Sequence, residues 1–132
     1  MAAAEPPVVK PRPVYLNLFA IRQPVPAIAS IIHRATGALL FLAGIPVLLW
    51  FVQRSLASQA AFDAAMQPFT TLFGKLVFLV LAWSYLYHLL AGIRHLALDL
   101  HLGIELAPAR SSAAIVLVLS VVLAIVIAVR LW

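Results

Sequence analysis

The sequence predicts an all-α membrane protein built from three transmembrane helices. Composition and pattern together predict it. Of the 132 residues, 65% are hydrophobic and 10% are charged, where a soluble domain averages about 25% charged. A chain this short cannot hide so much apolar surface in a core of its own, so its natural solvent is a bilayer. The apolar residues also fall into three runs, each near the roughly 20 residues needed to cross a hydrocarbon core about 30 Å thick. All three must be helical, because an open strand leaves its backbone unpaired in lipid.

Residues 1–27 form an N-terminal segment rich in proline: Pro6, Pro7, Pro11, Pro13, Pro24 and Pro26. No apolar stretch follows a basic start, so it does not read as a secretory signal. It also lacks the amphipathic Arg- and Ser-rich pattern of a mitochondrial transit peptide, which points to a bacterial inner membrane. Tyr15–Ile21 is the part expected to lie on the membrane surface. The transmembrane domain then occupies 28–132. Its helices are expected at about Ile28–Val52, Leu72–Leu98 and Ala113–Trp132. Pro46 should kink the first helix or loosen one turn of it. The connection Gln53–Thr71 has room for a short interfacial helix. The connection Asp99–Ser112 carries Glu105, Pro108 and Arg110.

The net charge is +5 with a pI near 10.5. Nucleic-acid binding needs a clustered basic face, and these cations are dispersed among the connections and helix ends instead. Lys10, Arg12, Arg22, Arg34, Arg94 and Arg110 fall on the N-terminal side, against Arg54, Lys75 and Arg130 on the other. The positive-inside rule therefore places the N-terminus in the cytoplasm. There is no cysteine, so this chain makes no disulfide, ligates no iron–sulfur cluster and has no thiolate nucleophile.

Polar residues inside a membrane helix are costly and mark candidate sites. Ser30, His33, Arg34 and Gly37 open the first helix at spacings that place them on one face, and Gly44 continues it. Two readings stand side by side. Either His33 and Arg34 snorkel to head groups, or the face lines a polar cavity. The second helix carries Ser84, His88, Gly92, His95 and Asp99 in steps of four, four, three and four, again on one face. His88 lies well inside the span. It is either a hydrogen-bonded packing residue or a ligand, since neutral imidazole commonly binds metal and haem iron.

Geometry constrains the ligand reading. His88 and His95 are about 10.5 Å apart along one helix at 1.5 Å per residue, so they cannot grip opposite faces of one haem. A second axial ligand must come from another helix. His33 is expected to be too shallow, near the cytoplasmic edge, which leaves a second subunit as the donor. Arg94 and His95 lie where haem propionates would emerge. The third helix has Ser120 as its only polar residue before Arg130, and Arg130 and Trp132 read as interface anchors.

Both constellations match known signatures. Ser30-Ile31-Ile32-His33-Arg34-Ala35-Thr36-Gly37 resembles the first signature of the cytochrome b556 subunits of succinate dehydrogenase. His88-Leu89-Leu90-Ala91-Gly92-Ile93-Arg94-His95-Leu96-Ala97-Leu98-Asp99 resembles the second. Arg12-Pro13 and the three-helix layout also fit. After the early Arg-Pro this chain reads Val14-Tyr15-Leu16, where the family often has Ser-Pro-His.

The resemblance implies a three-helix anchor forming half of a heterodimeric haem-binding bundle. It implies His88 as one axial ligand of haem b, the other coming from a partner hydrophobic anchor subunit. Ser30 and Arg34 become quinone-site residues. His33, Arg34, Arg94 and His95 become neighbours of the haem propionates. Asp99 becomes a proton relay or a partner of Arg94. Electrons would pass from a flavoprotein subunit through an iron–sulfur subunit to ubiquinone. A quinol:fumarate reductase anchor runs the same chemistry backward. From another class, a small proton channel or transporter would use His88, His95 and Asp99 as its relay.

Overall fold

The structure is a computed structural model that describes residues 20–132. The expectation for Tyr15–Ile21 therefore falls mostly outside the described residues. Those residues contain helices and turns and no strand. Three helices are long and apolar enough to cross a membrane: Val25–Ala57, Leu72–Asp99 and Leu106–Leu131.

The first crossing is α1 (Val25–Leu39), a π-helical turn (Leu40–Gly44) and α2 (Ile45–Ala57). It begins three residues before the predicted Ile28. Pro26 sits in the first turn, where its missing N–H would have had no partner anyway. The Pro24 carbonyl accepts from the N–H groups of Ala27 and Ile28 at 2.9 and 3.2 Å. The π turn lies just before Pro46. Proline cannot donate to the carbonyl four residues back, at Leu42, and its ring crowds that carbonyl, so the ladder loosens there.

The first connection does hold a short helix, α3 (Gln59–Met66), followed by a 3-10 turn at Gln67–Thr70. Ser58 caps α3 by accepting from Ala61 N–H at 3.1 Å. Phe51, Phe62, Phe69 and Phe78 meet edge to face, with centroids 5.4–6.2 Å apart, and hold this connection against α2 and the next crossing. Thr71 caps α4 (Leu72–Asp99) by accepting from Gly74 N–H.

Helix α4 ends in a Schellman turn. Leu102 N–H donates to Ala97 O and His101 N–H to Leu98 O, both at 2.9 Å. His101 adopts the left-handed φ of 62° that this turn requires. Helix α5 (Leu106–Leu131) starts seven residues before the predicted Ala113. The polar residues there are satisfied within the helix: Ser111 donates to Ala107 O at 2.7 Å and Ser112 to Ala109 O at 3.3 Å. Pro108 falls in the first turn, where a free N–H is not needed.

The core is a seam between α4 and α5, with α1 against both. Ser84, Tyr87, Ala91 and Arg94 of α4 are buried, as are Ala113, Val116 and Ser120 of α5. Alternating steps of three and four bring small residues to the contact, as close helix approach in lipid demands. Tyr87 donates from its hydroxyl to Ala29 O of α1 at 2.8 Å. At the far end, Lys75 Nζ donates to Leu131 O at 2.8 Å and lies 5.0 Å from the centre of the Trp132 ring. A cation on the last carbonyls of α5 complements its dipole.

Candidate functional site

The site lies where α1 crosses α4. His33 is eight residues beyond Val25, so it sits about 12 Å into the helix at 1.5 Å per residue. The structure brings His33 level with His88 on the neighbouring helix. The two rings stack with centroids 4.1 Å apart and planes 11° from parallel. His95 lies against the other side of the pair, its ring 4.9 Å from that of His33 and tilted by 45°.

The hydrogen bonding of His88 sets its chemistry. Its Nδ1 is 3.1 Å from the carbonyl oxygen of His33. A carbonyl only accepts, so Nδ1 carries the proton and donates. The Nε2 lone pair is then free, which is the arrangement found in metal-ligating histidines. Thr36, buried on α1, brings its hydroxyl oxygen to 3.5 Å from the same Nδ1. Gly37 makes room for the ring, since a Cβ there would stand 2.7 Å from His88 Cε1.

His33, His88, Leu89, Gly92, Ile93, His95 and Leu96 line a groove of about 460 Å³ that opens sideways from the bundle. Its rim is apolar: Leu89, Ile93 and Leu96 are exposed. His33 Nε2 is buried and lacks a hydrogen-bond partner among the described residues. A polar atom in that state calls for a partner from outside the chain. A Cβ on Gly92 would meet only His33 Nε2, at 3.7 Å, so the groove is open above Gly92.

These features fit haem. An oriented imidazole with a free lone pair could hold its iron, and the glycine-floored, apolar-rimmed groove would suit a flat macrocycle. His33 does not fit as the opposing ligand. Its ring stacks face to face on that of His88, so the two would not hold one iron between them.

Not every predicted site residue reaches the groove. Ser30 is half-buried and Arg34 exposed on α1, and neither lines it. Ser84 belongs to the buried seam instead of the histidine face. Arg94 turns toward α5, where its Nε donates to Ser112 Oγ at 2.9 Å and its Nη2 to Ala109 O at 3.1 Å. It is spent on a helix contact, and it does not pair with Asp99, which is exposed at the last residue of α4. Thr36 and Tyr87 were missed. Thr36 lay inside the first signature, three residues from His33, and that spacing was the available signal.

Residues 9–127 match the succinate dehydrogenase/fumarate reductase transmembrane subunit family. The chain belongs to that family. It is 37% identical over 114 residues to the succinate dehydrogenase cytochrome b556 subunit of Paracoccus denitrificans, covering 86% of this chain and 87% of that one. It is 36% identical over 122 residues to the protein of that name from Coxiella burnetii (strain RSA 493 / Nine Mile phase I), covering 92% and 97%. As a succinate dehydrogenase/fumarate reductase transmembrane subunit, this is a multi-pass membrane protein of an oxidoreductase family. Both histidine-bearing segments fall within the matched region.

Proposed function

We propose that this chain is a membrane anchor of succinate:quinone oxidoreductase that holds haem b jointly with a second hydrophobic anchor subunit and forms part of the ubiquinone-reduction site. The observation that carries it is the bond from His88 Nδ1–H to the His33 carbonyl at 3.1 Å, beside a groove that this chain alone does not close. The relatives' name, cytochrome b556, supports the same cofactor. The N-terminus faces the cytoplasm of a bacterium, and the other complex partners are an iron–sulfur subunit and a flavoprotein subunit that oxidises succinate.

Haem, when bound, supplies a one-electron store beside the quinone path. His88 would hold its iron through Nε2, together with a residue of the partner anchor. His33, Arg34 and His95 would neighbour the propionates. Arg94 joins them only by releasing Ser112, so in this reading it acts on helix placement first.

Ubiquinone reduction takes two electrons, relayed from the iron–sulfur subunit, and two protons, turning two carbonyls into two hydroxyls. Ser30 donates a hydrogen bond to one quinone carbonyl. Arg34 stabilises the negative charge that builds on the oxygen, by oriented positive charge. Protons enter from the cytoplasmic side, where Asp99 stands exposed as a relay.

The test is the reduced-minus-oxidised spectrum of membranes carrying the complex, for wild type and His88→Ala. Loss of the b-type band in the variant is expected. A band that survives removes His88 as ligand, and a wild type without any band favours the proton-relay reading over the redox one.

A further inference from the structure

Thr36 is 4% exposed and sits beside the key nitrogen. Its Oγ1 lies 2.9 Å from Ile32 O and 3.0 Å from His33 O. Bonding back to a carbonyl one turn earlier is the ordinary fate of a mid-helix threonine. What is not ordinary is the third neighbour, His88 Nδ1, at 3.5 Å and on a different helix.

A hydroxyl has one proton and two lone pairs. With the proton given to a carbonyl of its own helix, the lone pairs are what Thr36 offers to His88. The His33 carbonyl offers lone pairs as well, at 3.1 Å. Nδ1 thus faces two acceptors on α1. If the proton sat on Nε2 instead, the Nδ1 lone pair would face the His33 carbonyl lone pairs, and Thr36 could avoid adding its own only by turning its proton away from the carbonyls of its helix. The His33 carbonyl, with Thr36 held in its back-bond, therefore favours the tautomer with Nε2 free.

We propose that Thr36 is a positioning residue for haem ligation, acting through His88: its hydroxyl oxygen is a second acceptor that holds Nδ1 protonated and strengthens Nε2 as a donor. This rests on the reading of His88 as the haem ligand. Acceptors on the distal N–H raise ligand basicity. A more basic ligand stabilises oxidised iron, the more positive state, and lowers the midpoint potential. Removing the hydroxyl should move that potential upward.

The experiment is a potentiometric measurement of the b-type band in the intact purified complex, for wild type, Thr36→Val, Thr36→Ser and His88→Ala. Thr36→Val keeps the branched shape and deletes the hydroxyl. The expected result is a band retained at near wild-type haem content, a midpoint shifted positive, and a return toward wild type in Thr36→Ser. An unchanged midpoint in Thr36→Val overturns the proposal. So does a negative shift, which would make the hydroxyl a competitor for the His33 carbonyl. So does a positive shift that Thr36→Ser retains, which would trace it to the methyl group. Should Thr36→Val not assemble, Thr36→Ala is read by the same criteria. A band that persists in His88→Ala shows instead that the ligand assignment itself has failed.

Discussion

His33 and His88 stack face to face across the α1–α4 crossing, 4.1 Å apart, yet their nitrogens are not equivalent. His88 has a backbone acceptor on Nδ1, whereas His33 has a buried Nε2 without a partner. Only the first arrangement prepares a ligand. His33→Ala should therefore retain a b-type band, while His88→Ala loses it. Haem per complex, measured by pyridine haemochrome, checks this. The reverse order would assign ligation to His33.

The two glycines of the site should respond unequally. A Cβ at Gly37 meets His88 Cε1 at 2.7 Å, closer than carbon atoms tolerate. A Cβ at Gly92 meets only His33 Nε2, at 3.7 Å. Overpacking costs about 1–3 kcal/mol, and here it falls on the ligand. Gly37→Ala should lower haem content several-fold by pushing the ring off the His33 carbonyl. Gly92→Ala should leave His88 in place and act only on what fills the groove, so its deficit should yield to added haem during assembly. Equal losses that added haem does not reverse would sink the distinction.

Most of the fold was legible because lipid enforces it. The three spans follow from the length of the apolar runs alone, and Pro46 announced the loosened turn that appears at Leu40–Gly44. Helix starts were less legible. The apolar pattern begins late at both Val25 and Leu106, because first-turn prolines and back-bonded serines continue a helix that hydropathy does not register. The histidines were legible as polar residues in a costly place. The direction of Arg94 was not. One residue from His95 is about 100° around a helix, which is enough to send it to α5 and leave His95 in the groove.

That turn of Arg94 predicts a stability effect separate from any cofactor. Its guanidinium is buried and bonds Ser112 Oγ and Ala109 O at 2.9 and 3.1 Å. Hydrogen bonds to a charged group are worth about 1.5–3 kcal/mol, and one partner here is a side chain that can be removed. Ser112→Ala should destabilise the subunit measurably, and Arg94→Lys more, since an ammonium lacks the fork that reaches both acceptors. A double-mutant cycle on thermal unfolding in detergent should give a coupling energy of about 0.5–3 kcal/mol. Zero coupling would return Arg94 to a role outside the helix seam.

Arg34 follows His33 in sequence but is exposed and does not line the histidine groove. Two roles compete for it, an electrostatic partner of reduced quinone or a cation that snorkels to head groups, and they predict different measurements. In the first, Arg34→Leu removes fixed positive charge from where negative charge develops, which typically costs about 10²–10³ in kcat. Succinate oxidation with an artificial dye should stay unchanged, because it bypasses the quinone. Arg34→Lys should recover part of the loss, since it restores charge without the guanidinium geometry. In the second role, Arg34→Leu lowers the amount of assembled complex while each complex keeps its ubiquinone turnover. Turnover per haem, compared with the amount of complex in the membrane, separates the two, and a normal turnover in Arg34→Leu would remove this residue from the quinone site.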